Sequence, residues 1–160
     1  MKKLFVMDVD GTLTDGKIYI SETGELFKAF NVKDGYGISN ILPSNGYIPV
    51  VITGRSSVIV VQRCKELGVA EIIQSCKDKK KALLDIAVKY GLYPNEKGVL
   101  TGVVYIGDDI PDLECIKSAE ISACPANAVE EVKKIASYIC EKPAGDGAVR
   151  EFIDWVIGKK

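Results

Sequence analysis

Apolar and polar positions alternate along this chain between two periods, short runs that read as strands and three-to-four spacings that read as helices. Lys3 to Met7 is a buried strand that stops on Asp8 and Asp10. Residues 17–20 and 25–30 have period two around Ser21-Glu22-Thr23-Gly24, which predicts a β-hairpin over about 17–30 standing off the main sheet. After Asp34-Gly35-Tyr36-Gly37 comes a short helix over 38–42, ended near Pro43, and then a second buried strand from Tyr47 to Ile52. Ser56 or Ser57 caps a helix running to Leu67-Gly68, Ile72-Ile73 is a brief third strand, and Asp78 caps a helix over 79–91. The fourth strand, Gly102 to Ile106, ends at Gly107-Asp108-Asp109. Beyond it the pattern predicts a helix near 112–117, a strand over 120–123, a helix near 128–136, a strand at 138–139 and a last helix over about 147–157. Strand and helix alternate throughout. The expected fold is therefore α/β, a Rossmann-like three-layer sandwich around a mainly parallel sheet, with ligands beyond the carboxyl ends of the strands.

Length and charge narrow the setting. At 160 residues the chain fits a single domain over 1–160, with 21 basic against 22 acidic residues. That balance gives no reason to expect nucleic acid or an anionic membrane as partner. Asp8 and Asp10 interrupt the first apolar run, and no stretch approaches the roughly 20 residues a membrane helix needs, so a cytoplasmic protein is expected. Cys64, Cys76, Cys115, Cys124 and Cys140 are scattered without a C-x-x-C spacing and read as buried thiols. Histidine is absent, which removes Ser-His and Cys-His nucleophile systems and leaves acid-base work to carboxylates.

The candidate chemistry lies at strand ends. Asp8 and Asp10, one residue apart after an apolar strand, call for a counter-charge that a divalent cation would supply. Asp108, Asp109 and Asp112 gather at another strand end as hard oxygen ligands suited to Mg²⁺. Either cluster alone fits equally well with acids that only cap helices and turns. Thr53 adds a hydroxyl at a third strand end, and Lys77, Lys79, Lys80 and Lys81 add cations near a helix start. Taken together they supply what phosphoryl transfer needs: a nucleophile, a metal, and donors around the phosphoryl oxygens. A run of lysines is ordinarily a solvated helix face, but only one need point inward.

The ordered set Asp8-Val9-Asp10-Gly11-Thr12, Thr53-Gly54-Arg55, a lysine and Gly107-Asp108-Asp109 resembles the haloacid dehalogenase superfamily. The segments 28–38, Ile52-Thr53-Gly54-Arg55 with Arg63, and 145–151 are similar to its sugar-acid branch, the phosphatases of octulosonate 8-phosphate and acylneuraminate 9-phosphate. The resemblance implies that Asp8 becomes an aspartyl-phosphate while Asp10 protonates the leaving sugar oxygen and then activates water. It implies Mg²⁺ held by Asp8, Asp10 and Asp108, with Asp109 and Asp112 around them, and Lys79 as the phosphate-neutralising lysine with Lys80 in reserve. Substrate contacts would fall on Asp10, Asn31, Val32, Lys33, Asp34, Gly35, Arg55, Arg63 and Lys79. The connections are too short for the folded caps of larger members, so the resemblance implies a capless homotetramer acting on a small sugar-acid phosphate. A tail over about 143–160, through Gly145, Gly147 and Ala148, would reach a neighbour's site. Ser39 stands where octulosonate enzymes often carry an arginine, and Ala144 where glycine is common. A phospho-acceptor signalling domain is the rival of another class. It would carry its acceptor aspartate after a middle strand, where this chain has Thr53.

Overall fold

The computed structural model describes residues 2–158, so Met1, Lys159 and Lys160, the last two within the expected tail, lie outside the described residues. Six strands form one parallel sheet: β1 (Lys3–Met7), β4 (Tyr47–Ile52), β5 (Glu71–Ile73), β6 (Leu100–Ile106), β7 (Ala119–Cys124) and β8 (Tyr138–Ile139). Their order is β5-β4-β1-β6-β7-β8, with Leu4 opposite both Ile48 and Val103. The chain winds outward from β1 on one side and then returns to start the other half at β6. This reversal opens a crevice at the carboxyl ends of β1, β4 and β6, where open α/β sheets hold ligands.

Period two along the strands makes three layers. Phe5, Met7, Val51, Val104 and Ile106 face one core, while Leu4, Val6, Val50, Ile52, Val103 and Tyr105 face the other. The first core is covered by α3 (Val58–Glu66) and α7 (Ala148–Gly158), together with the helical stretch made of α1 (Val32–Tyr36), a π-turn over Gly37–Ile41 and α2 (Leu42–Ser44). Helices α4 (Lys79–Lys89), α5 (Leu113–Ser118) and α6 (Glu130–Lys133) cover the second. In α7 the buried set Val149, Phe152, Ile153 and Val156 follows helical spacing and places the Phe152 ring 5.4 Å from Phe5. Strands β2 (Tyr19–Ser21) and β3 (Gly24–Phe27) form a separate antiparallel hairpin. Ile18, Ile20, Leu26 and Phe27 on it are exposed.

Several element boundaries differ from the sequence pattern. The helix expected at 38–42 starts at Val32, because Asn31 caps it by accepting from the Lys33 amide at 2.8 Å. It also runs through Pro43. A proline ring clashes with the carbonyl four residues back, and widening the turn so that the Leu42 amide reaches the Gly37 carbonyl absorbs that clash. The helix expected near 128–136 is only α6, since the amides of Ala128 and Val129 are committed to the carbonyls of Pro125 and Asp108. Helix α4 ends at Lys89 rather than residue 91, and β6 begins at Leu100 rather than Gly102.

Asp34 fastens this layer from a distance. Its Oδ1 accepts from the Arg150 amide at 2.7 Å, capping the start of α7 from 116 residues away, while Oδ2 has no hydrogen-bond partner among the described residues. Burial pushes its carboxyl up to about 6 despite the amides of Arg150 and Gly147. The folded chain therefore holds a proton there that the unfolded chain has lost, so stability falls as pH rises from about 4 through about 6. The shift corresponds to about 3 kcal/mol at most. Asp34→Asn keeps the accepting oxygen and removes the charge. Urea midpoints of the two proteins should draw apart in the variant's favour between pH 4.5 and 7, and a constant difference would refute a buried titrating Asp34.

Candidate active site

Each strand end delivers one part of a single cleft. At the end of β1 the Asp8 amide donates to the Ile106 carbonyl at 3.1 Å, and the amides of Thr12, Leu13 and Thr14 all converge on the Val9 carbonyl. Such a tight loop needs Gly11, which has φ of +91° and leaves no room for a side chain, since a Cβ there would lie 2.1 Å from Asp108 Oδ2. Asp8 is thereby buried facing an open cavity of about 710 Å³. The same cavity is lined by Asp10, Thr53, Arg55, Lys79, Asp109 and Asp112.

Lys79, the first residue of α4, is buried and donates to Asp8 Oδ1 at 2.7 Å and to Asp112 Oδ1 at 2.8 Å. Asp78 caps the helix behind it by accepting from the Lys81 amide. Of the four clustered lysines, Lys79 is the one turned onto the strand ends. Lys77 and Lys80 also line the cavity, but Lys80 pairs with the exposed Glu114 at its rim and Lys81 with Asp85. Asp112 is fully engaged: Oδ1 also accepts from the Tyr105 hydroxyl at 2.7 Å, and Oδ2 from the amides of Asp108 and Asp109. It sets the loop rather than offering a free oxygen. Asp109 accepts from the Ile110 amide at 2.7 Å and shares a capping box with Asp112, so its carboxylate holds the turn. Asp108 lies beside Asp8, with Oδ1 accepting from the Thr12 hydroxyl at 2.9 Å.

Two carboxylates share one ammonium here, and a third stands by. Burial, then the charge of Asp112, push Asp8 up to about 8, although Lys79 pulls it down. Burial likewise pushes Asp108 up to about 6. Burial opposes the charge on Lys79, but Asp8 and Asp112 outweigh it and hold Lys79 above its ordinary range. With all three carboxylates ionised, the cluster holds more negative charge than its one ammonium balances. Oxygens of Asp8, Asp108 and Asp112 can lie within 4.8 Å of one another, a hard-ligand cluster that suits Mg²⁺. With Asp112 occupied, Asp8 and Asp108 are the side chains left to hold a cation.

Residues 65–153 match the haloacid dehalogenase-like hydrolase family. The chain is 37% identical over 155 residues to the 3-deoxy-D-manno-octulosonate 8-phosphate phosphatase of Salmonella typhi, covering 97% of this chain and 79% of that one. This chain belongs to the haloacid dehalogenase-like hydrolases. Among solved structures, the phosphatase of that name from Moraxella catarrhalis, in complex with magnesium ion, phosphate ion and KDO, superposes with a TM-score of 0.90. It is 41% identical, over 99% of this chain and 87% of that one. The cobalt-bound enzyme of Haemophilus influenzae also gives 0.90, at 31% identity over 98% and 88%.

In this hydrolase several expected substrate contacts stand elsewhere. Asn31 caps α1, Val32 and Lys33 are exposed, and Asp34 caps α7. Arg63 lies against Gly35 and over the Phe30 ring and pairs with Glu66, lining a second, narrow cavity with Asp34 and Gly35. None of these six lines the cavity in front of Asp8. Arg55 does, with Nε 3.8 Å from Asp10 Oδ2. The tail also turns inward: Ala148 is wholly buried in its own core, and a Cβ on Gly145 would meet the Asp15 amide at 2.5 Å. Gly147 lies beside Lys142 of the same chain. Within the subunit, Gly145 and Gly147 pack closely against these loops. Four cysteines are buried as expected, but Cys76 is half-buried and lines the catalytic cavity. Sequence reasoning missed Lys28, Thr12 and Tyr105. Only Tyr105 carried a signal, a polar group inside an otherwise apolar strand, which needs a buried partner.

Proposed function

We propose that this chain is a Mg²⁺-dependent sugar-acid phosphatase that hydrolyses 3-deoxy-D-manno-octulosonate 8-phosphate to 3-deoxy-D-manno-octulosonate and phosphate. The observation that carries the reading is Asp8 at the end of β1, buried against Lys79 and beside Asp108 at the base of an open cleft. Likeness to the octulosonate phosphatases over nearly the whole chain supports the substrate, and one hydrolase domain spanning the chain accords with it.

An oxygen of Asp8 attacks phosphorus in line, and the bond from phosphorus to the sugar oxygen breaks as Asp10 gives that oxygen a proton. The result is an aspartyl-phosphate and the free sugar acid. Asp10, now a carboxylate, takes a proton from water, which attacks phosphorus, releases phosphate and restores Asp8. Lys79 and Thr53 donate to the phosphoryl oxygens, and Arg55 meets the substrate carboxylate. Asp8, Asp108 and the main-chain carbonyl of Asp10 would hold Mg²⁺, which would supply positive charge to offset that of the phosphoryl group. Asp112 positions Lys79 and the Asp108 loop. By family resemblance the enzyme acts as a homotetramer in the cytoplasm, and the exposed apolar face of the hairpin is the surface such an assembly would cover.

Phosphate release from a panel of sugar phosphates tests the substrate. The octulosonate 8-phosphate should lead, and a higher kcat/KM on an acylneuraminate 9-phosphate would move the assignment to that nine-carbon acid. Chelation should stop turnover, Mg²⁺ should restore it, and Ca²⁺ should inhibit because its longer, looser coordination misplaces the nucleophile. Undiminished turnover after exhaustive chelation would overturn the metal-dependent mechanism.

A further inference from the structure

No hairpin residue lines the cavity in front of Asp8, yet the hairpin sends one charge to Asp10. Lys28 follows β3 directly, and its side chain is only 3% exposed. A buried ammonium is costly unless it is paired, and this one has two partners. Its Nζ donates to Asp10 Oδ1 and lies 3.0 Å from Glu25 Oε1. Glu25 Oε2 in turn accepts from the hydroxyl of Ser57, the residue that caps α3, and the Ser57 amide donates to Gln74. The hairpin, the catalytic loop and the start of α3 are therefore joined through one lysine and one glutamate.

The two oxygens of Asp10 have different surroundings. Oδ1 is taken by Lys28, which does not line the cavity, whereas Oδ2 lies 3.8 Å from Nε of Arg55, which does. We infer that Lys28 is a positioning residue for Asp10, holding Oδ1 so that Oδ2 faces the substrate and carries the transferred proton. This deepens the reading of Asp10 as general acid and base, and rests on it. When the sugar leaves, the Oδ2–H bond breaks and the proton passes to the sugar oxygen as the bond from phosphorus to oxygen breaks. When water attacks phosphorus and the bond to Asp8 breaks, Oδ2 takes a proton from that water. Glu25 matters because it balances the lysine charge when Asp10 carries its proton, and it ties the ammonium to Ser57.

A misplaced acid harms poor leaving groups most, because an aryl phosphate leaves without a proton. The test measures steady-state turnover of p-nitrophenyl phosphate and of the sugar phosphate that leads the panel above, for wild type, Lys28→Met, Lys28→Arg, Asp10→Asn and the double variant Asp10→Asn with Lys28→Met. Lys28→Met should lower kcat on the sugar phosphate by about ten- to a hundredfold with KM nearly unchanged, and lower the ratio of sugar to aryl rates at least about tenfold. Lys28→Arg should recover part of that ratio, and the double variant should be no worse than Asp10→Asn alone. Equal losses on both substrates, or a change confined to KM, would assign Lys28 to structure or phosphate binding and overturn the inference. If Asp10→Asn is biased against the sugar phosphate and Lys28→Met is not, only the role of Lys28 falls. If Asp10→Asn shows no bias, the acid assignment and this inference fall together. Should Lys28→Met not fold, Glu25→Gln keeps the ammonium and weakens its anchor, and it must show the same bias to a smaller degree.

Discussion

Asp8→Asn should abolish turnover, by about 10⁴-fold or more, while leaving the folded chain at least as stable as wild type when metal is removed. Loss of activity follows from chemistry, since a neutral amide is a poor nucleophile and does not form the acyl phosphate that the carboxylate would. Retained stability follows from electrostatics. Burial and Asp112 push the Asp8 carboxyl up to about 8, so without a cation its ionised form is unfavourable in the fold at neutral pH. The folded chain then binds a proton that the unfolded chain releases, and wild-type stability declines as pH rises from about 4 through about 8. The asparagine variant lacks that contribution. Thermal midpoints in chelator should therefore favour the variant increasingly from pH 5 to 8, whereas added Mg²⁺ should favour wild type. A rapidly quenched reaction should trap phosphate on wild-type protein and none on the variant. Turnover surviving in a purified variant would remove Asp8 from its role.

What the sequence disclosed and what it hid have physical causes. Strands β1, β4 and β6 were legible because each is largely buried on both faces, so its sequence is mostly apolar and ends abruptly on the acids or hydroxyl it delivers. The candidate site was legible for the same reason, as Asp8, Thr53 and Asp108 all follow such runs. The start of α1 was hidden because Gly35 and Gly37 look like turn residues, yet both lie in the helical stretch, where a Cβ on Gly35 would strike Arg63. Asp34, Gly35 and Arg63 read as substrate contacts by resemblance. Their shared neighbourhood is a different cavity, and nothing local in sequence reveals that Asp34 serves an amide 116 residues away. Lys28 was hidden because a lysine at the end of an amphipathic hairpin strand is ordinarily solvated. Its burial depends on Asp10 and Glu25 meeting it in space.

Among the lysines the structure distinguishes what spacing could not, and Lys79→Met should be the most damaging change after Asp8. A lysine in the first turn of a helix faces the positive end of the helix dipole, an unfavourable place that Lys79 occupies because two carboxylates lie opposite it. Removing the ammonium leaves Asp8 and Asp112 buried without their cation, which costs about 3–5 kcal/mol in chelator. Added Mg²⁺ should recover much of this through Asp8, but not the engagement of Asp112, whose oxygens point to Tyr105 and the amides of Asp108 and Asp109. Turnover should remain about 10²- to 10³-fold low even in saturating Mg²⁺, since a donor to the phosphoryl oxygens is lost. Lys79→Arg should not restore it, because a planar guanidinium cannot occupy the point where one nitrogen lies 2.7 Å from Asp8 and 2.8 Å from Asp112. Lys80→Met is the control: its ammonium is 3.4 Å from the exposed Glu114, and the change should alter kcat by less than about threefold. If Lys80→Met loses turnover and Lys79→Met keeps it, the phosphate-neutralising charge belongs to Lys80. Lys79 would then serve only to balance Asp8 and Asp112 in the folded core.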